Sequence, residues 1–76
     1  MNDLDAEIRA RLADMGIIPL LGGLIPEQAT ADLLGYSHAH MRQQAAKGLG
    51  VLPFVRRGNR RFYRIADIRA FVSETA

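Results

Sequence analysis

Residues 25–48 read Ile25-Pro26-Glu27-Gln28-Ala29-Thr30-Ala31-Asp32-Leu33-Leu34-Gly35-Tyr36-Ser37-His38-Ala39-His40-Met41-Arg42-Gln43-Gln44-Ala45-Ala46-Lys47-Gly48, and this stretch decides the fold. Pro26 suits the first positions of a helix, where a missing N–H leaves no bond unmade, and the run Glu27 to Leu34 favours helix. Gly35 breaks that run, and Tyr36 follows in the turn. Ser37 is placed to cap a second helix, His38 to about Lys47, which stops at Gly48. Two short helices joined by a Gly-containing turn form a helix-turn-helix pattern. Ile25, Ala31 and Leu34 face inward from the first element, and Met41 and Ala45, one turn apart, from the second helix.

C-terminal to this unit the period changes. Leu52-Pro53-Phe54-Val55-Arg56-Arg57 and Arg60-Arg61-Phe62-Tyr63-Arg64-Ile65 are rich in aromatic and β-branched residues, and Gly58-Asn59 between them is a two-residue turn that closes a hairpin. Pro53 confines the first strand to an edge or shortens it. A last helix, about Ala66 to Ser73, has Ile65, Ile68, Phe71 and Val72 on its inner side. On the N-terminal side, Leu4, Ile8, Leu12 and Met15 lie on one face of an amphipathic helix from about Asp3 to Met15. Asn2 or Asp3 caps it and Gly16 ends it. That face completes the core or forms a dimer, and packing on its own domain is the preferred reading. Ile17 to Leu24 is an apolar connector in which Pro19 and Gly22-Gly23 oppose regular structure, with a short extended segment packing on the core as one form it can take. The chain divides into residues 1–23, the N-terminal helix and connector, and residues 24–76, the helix-turn-helix and hairpin.

The 76 residues suit one small domain, and with 49% hydrophobic and 24% charged residues the composition is that of a globular chain. With no cysteine, neither disulfides nor a Cys-based zinc site supplements the core. No apolar run approaches the roughly 18 residues of a membrane span. The first residues are acidic where a signal peptide is basic, so a cytoplasmic protein is expected. The net charge of +2 conceals an asymmetry: residues 1–35 carry two arginines against six carboxylates, and residues 36–76 carry eight Lys and Arg against two. A basic half of this kind steers towards a polyanion, and nucleic acid is the first candidate.

Across the hairpin, Arg57 faces Arg60 and Arg56 faces Arg61. Like charges directly opposed destabilise a two-stranded ribbon, so four guanidinium groups at one tip do not serve folding. Phosphate oxygens accept the Arg fork in bidentate geometry and relieve the repulsion. The helix after Ser37 presents small and polar residues near its start, namely His38, Ala39, His40, Arg42 and Gln43. Such a helix fits a major groove about 12 Å wide, with Arg42 suited to guanine and Gln43 to adenine. His38 and His40, two apart, lie on different helix faces and have no further ligand nearby, so no metal site and no cofactor are expected. Nothing resembles a nucleophile elbow or an oxyanion hole around Ser37, which reads as a helix cap, and no enzyme activity is expected. Gly22-Gly23 lacks the Lys and flanking elements of a phosphate loop.

The stretch Ile25 to Ser37 resembles the opening of the excisionase and AlpA-like, MerR-related winged helix-turn-helix proteins. Those families show a Leu-Leu-Gly-x-Ser turn, a recognition helix ending in Gly, then Leu-Pro, an Arg-bearing hairpin and a closing helix. The matching residues here are Leu33-Leu34-Gly35-Tyr36-Ser37, Gly48, Leu52-Pro53, and Arg57-Gly58-Asn59-Arg60-Arg61-Phe62-Tyr63-Arg64-Ile65, in order over about residues 24–72. Two departures stand out: Thr30 occupies a position usually apolar in the family, and Gly48-Leu49-Gly50-Val51 lengthens the link into the wing. The resemblance implies a mainly α fold with a β-hairpin wing, to which the N-terminal helix is an addition. It implies that Ser37, His38, Ala39, His40, Arg42 and Gln43 line the major groove, and that Arg57, Asn59, Arg60 and Arg61, with Arg56 beside them, bring the wing to phosphates or the minor groove.

The expected function is therefore sequence-specific binding of double-stranded DNA. The leading form is an excisionase of a phage or integrative element that binds repeated sites cooperatively, bends DNA and works with a site-specific integrase. A transcription regulator of the same fold, a terminase small-subunit-like DNA binder, and a protein adaptor using the N-terminal apolar face and connector are the alternatives. Replacing Arg42 or Gln43 by Ala is expected to reduce discrimination by roughly 1–3 kcal/mol at the base each reads, measured as the affinity ratio between a preferred duplex and single-base variants.

Overall fold

Each of the first three helices ends where a glycine lets the chain turn back on itself, and the turn after residue 34 places the helix pair. The computed structural model describes residues 3–75. Among these, α1 spans Leu4–Asp14, β1 Leu24–Pro26, α2 Glu27–Leu34, α3 His38–Ala46, β2 Val55–Arg57, β3 Arg60–Arg64 and α4 Ile65–Thr75. Gly35 has φ +83, and the Tyr36 N–H reaches back to the Ala31 carbonyl at 3.0 Å, which satisfies an otherwise orphaned acceptor. Ser37 then caps α3 as expected, its Oγ accepting from the His40 N–H at 3.0 Å.

The three strands form one antiparallel sheet in the order β1-β3-β2, so the described residues combine four helices with a three-stranded sheet. The expected hairpin is present, with Arg56 opposite Arg61 and Arg57 opposite Arg60. Its first strand is shorter than the sequence implies: Leu52, Pro53 and Phe54 lie outside β2, which is an edge strand of three residues. The third strand is a correction to the sequence reading. Leu24-Ile25-Pro26 does not open a helix but pairs with β3, Ile25 opposite Tyr63 and Pro26 opposite Phe62, and α2 begins immediately afterwards. The connector is likewise more ordered than its Pro and Gly content predicts, with a tight turn closed by a bridge between Leu20 and Leu24.

A single core holds these layers together. Ile8 and Leu12 of α1, Ile25 of β1, Ala29 and Ala31 of α2, Met41 of α3, Leu52, Tyr63 of β3, and Ile65 and Ile68 of α4 are all buried in one cluster. Leu34, Phe71 and Val72 pack against it half-buried. Ile8 and Leu12 of the α1 face are thereby buried within their own chain, with Leu4 half-buried beside them. Met15 departs from expectation: the helix stops one residue earlier, and Met15 is exposed. Thr30, the polar residue at an apolar position, is fully buried and donates its hydroxyl to the Pro26 carbonyl at 2.9 Å, so its burial leaves no bond unmade. Ile18 and Leu21 in the connector remain 87% and 95% exposed.

These positions predict a sharp contrast in chemical denaturation. Leu12→Ala, which removes a side chain 1% exposed, is expected to cost about 2–5 kcal/mol, whereas Leu21→Ala is expected to stay within about 0.5 kcal/mol of the parent.

Candidate nucleic-acid interface

The Ser37 cap fixes where α3 begins and hence which side chains its first turn displays. His38 and Arg42, four apart, share one side, while His40 lies on another with its ring 5.5 Å from that of Tyr36. Ser37, Ala39, His40, Arg42 and Gln43 are exposed, and His38 and Gln44 are half-buried. Met41 and Ala45 point into the core, as their spacing predicts. The two histidines thus face apart, and among the described residues no three His, Cys, Asp or Glu side chains converge.

At the hairpin tip Gly58 has φ +62 and Asn59 does not share a positive φ, which meets the φ requirement of a II′ turn and matches the twist of the flanking strands. Arg56, Arg57, Asn59 and Arg60 are exposed around it. Arg60 lies over the Phe62 ring at 5.7 Å. Among the described residues no carboxylate approaches Arg56, Arg57 or Arg60 within ion-pair distance. The Arg57–Arg60 opposition therefore has no counter-charge among the described residues.

Arg61 has a different neighbourhood. Its Nε donates to Glu27 Oε2 at 2.9 Å, its Nη2 donates to the Arg42 carbonyl at 3.2 Å, and its guanidinium lies 5.6 Å over the Phe54 ring. Tyr63 OH donates to the same Glu27 oxygen at 2.9 Å, and His38 Nε2 lies 3.7 Å from the other. Glu27 is buried, and so is Tyr63 at 1% exposure. Burial, followed by the bond to and the charge of Glu27, pushes the Tyr63 hydroxyl well above the ordinary tyrosine value of 10.0. One carboxylate at the start of α2 thus joins the sheet to the start of α3.

These parts border a single open cleft of about 530 Å³. His38 and Arg42 of α3, Asn59, Arg60 and Arg61 of the hairpin, and Glu27, Gln28 and Asp32 of α2 supply its polar lining, while Met15, Ile17, Pro26 and Ala29 supply an apolar side. Of the residues singled out from the sequence, five therefore meet in one place. Ser37, Ala39, His40, Gln43, Arg56 and Arg57 lie outside that lining. Sequence reasoning missed Glu27 and Tyr63. The available signal was the Arg56–Arg61 opposition, which calls for a counter-charge that an internal carboxylate supplies as well as a phosphate does. Comparison with protein-family models, with curated proteins and with solved structures finds no match for this chain. No helix among the described residues is long and apolar enough to cross a membrane.

Because Tyr63 keeps its proton in the folded protein beyond the pH at which an unfolded tyrosine loses it, its contribution to stability is complete below about pH 10 and falls as pH rises further. Urea midpoints measured from pH 8 to 11 are expected to fall at the alkaline end in the parent and to fall less in Tyr63→Phe.

Proposed function

We propose that this chain is a winged helix-turn-helix protein that binds double-stranded DNA sequence-specifically and without catalysis of its own. In this reading α3 enters the major groove, with Arg42 and Gln43 at base edges and Ser37, His38, Ala39 and His40 around them. The β2–β3 hairpin is the wing, and Arg56, Arg57, Asn59 and Arg60 meet phosphates or the adjacent minor groove. The observation that carries the reading is the set of exposed arginines at the hairpin tip, without carboxylate partners among the described residues, beside the exposed start of α3. Opposed cations of this kind are costly in a free ribbon and are stabilised when phosphates lie between them.

Size shapes the mode of action. The chain is 37 Å in its longest dimension, about one turn of duplex at roughly 34–36 Å. One copy therefore reaches one stretch of major groove and its flank, and useful affinity at physiological salt calls for several copies on repeated sites. That requirement fits an excisionase of a phage or integrative element, acting in the cytoplasm on nucleoid DNA beside an integrase and bending the site. The order of motifs from Leu33-Leu34-Gly35 to Ile65 supports this form over a transcription regulator of the same fold or a terminase small-subunit-like binder. A second reading, a protein adaptor, draws on Ile18 and Leu21, whose 87% and 95% exposure offers an apolar contact. It predicts binding to a protein that survives loss of the hairpin arginines.

Duplex affinity against salt concentration tests the proposal. The parent is expected to show a steep negative slope of log affinity on log salt. Arg56→Ala, Arg57→Ala and Arg60→Ala combined, with folding verified by circular dichroism, are expected to flatten it by about one unit for each phosphate that an arginine no longer neutralises. A folded parent that binds no duplex at low salt contradicts the reading.

A further inference from the structure

The arginine nearest the junction of hairpin and helix faces inward. Arg61 is bonded through Nε to a carboxylate, through Nη2 to the α3 backbone at Arg42, and lies over the Phe54 ring. With only 15% of its side chain exposed, it has little surface left for a phosphate. The covalent route between the same two elements is far less restrictive. Residues 47–54 join α3 to β2 with Gly48 and Gly50 in the path, and of these only Leu52 is buried. The orientation of the hairpin relative to α3 thus has three sources: the Leu52 anchor, the pairing of β3 with β1, which runs straight into α2, and the side-chain network centred on Glu27.

We propose that Glu27 is the positioning residue of the interface: through Arg61 it sets the angle between the hairpin and α3, and so the spacing at which one duplex meets both. The inference rests on the DNA-binding reading above. Glu27 itself touches no DNA in this account. One oxygen of its buried carboxylate accepts from both Arg61 Nε and the Tyr63 hydroxyl, and Arg61 Nη2 carries that position to the Arg42 carbonyl. A planar fork with fixed donor directions is suited to this, and a lysine is not.

Glu27→Gln separates positioning from electrostatics, because the two predict opposite signs. Removing a negative charge from a DNA-facing region strengthens binding to every duplex if charge alone matters. Loss of the fixed angle weakens binding to the preferred duplex. The probe is a pool of short duplexes of random sequence, from which bound species are selected and sequenced with the parent. Glu27→Gln, folded by circular dichroism, is expected to bind the parent-selected duplex about tenfold more weakly while keeping the salt slope, so that the ratio to unselected duplex shrinks. Residual dipolar couplings of the free proteins are expected to show an altered or less defined angle between α3 and the β2–β3 hairpin.

Should Glu27→Gln fail to fold, Arg61→Lys carries the same test at unchanged net charge: loss of preference with an unchanged slope supports positioning, and parent-like binding overturns it. Equal or tighter binding by Glu27→Gln with the same selected sequence also overturns it. A uniform fall in affinity for all duplexes, with the parent's couplings and preference retained, marks a role in stability alone and does the same. If the parent selects no duplex, the DNA reading itself fails and the inference falls with it. The dipolar couplings still report whether Glu27 sets the angle, so the two failures are distinguishable.

Discussion

The Glu27 carboxylate is the constraint around which the rest of the molecule is arranged. A charge taken out of water is tolerated when it is paired and hydrogen-bonded, and leaving such a charge unpartnered costs about 3–5 kcal/mol. Here the partners come from distant parts of the chain: Arg61 and Tyr63 of β3 donate to one oxygen, with His38 of α3 near the other. α2 continues directly from β1, which pairs with β3, and apolar contacts add to that tether, but such contacts leave small rotations of the helix inexpensive. Directional bonds to a buried carboxylate do not. The same atoms that settle α2 on β3 therefore settle where the hairpin stands beside α3.

Much of the architecture was legible because its signals are local. Gly35 and Ser37 act within one turn of the residues they cap, and Gly58-Asn59 closes a hairpin whose register follows from a two-residue loop. The spacing of Ile8 and Leu12 likewise announces a buried helix face. What escaped depends on residues far apart in sequence. β1 is three residues long and exists because β3 lies beside it; read alone, Ile25-Pro26 looks like the start of a helix. The Glu27–Arg61 bond spans 34 positions, and no local pattern announces it. A glutamate directly after a helix-starting proline reads as a solvated first-turn residue favourable to the dipole, and only the sheet beneath it makes it a buried partner. Met15 was misplaced by one helical residue, within the ordinary uncertainty of helix ends.

The interface also shows how one chain handles like charges in two ways. At the base of the hairpin the Arg56–Arg61 opposition is relieved internally, since Arg61 turns to Glu27. At the tip the Arg57–Arg60 opposition is not, and both groups stay in solvent. On the N-terminal helix Asp5–Arg9 and Glu7–Arg11 form exposed pairs that contribute little to stability. The result is a hairpin with exposed arginines at its tip and an arginine braced from inside at its base. In the proposed function the brace and the DNA-facing groups are separate sets of residues, Glu27, Arg61 and Tyr63 on one hand and Arg42, Gln43, Arg56, Arg57 and Arg60 on the other.

The most direct measurement is a titration of isotopically labelled protein with duplex DNA of random sequence at low salt, followed by amide chemical shifts. The perturbed amides are expected to form two clusters, residues 37–43 at the start of α3 and residues 56–60 at the hairpin tip, with α1 and the connector unaffected. Perturbations confined to residues 15–24, or none in a folded protein, contradict it.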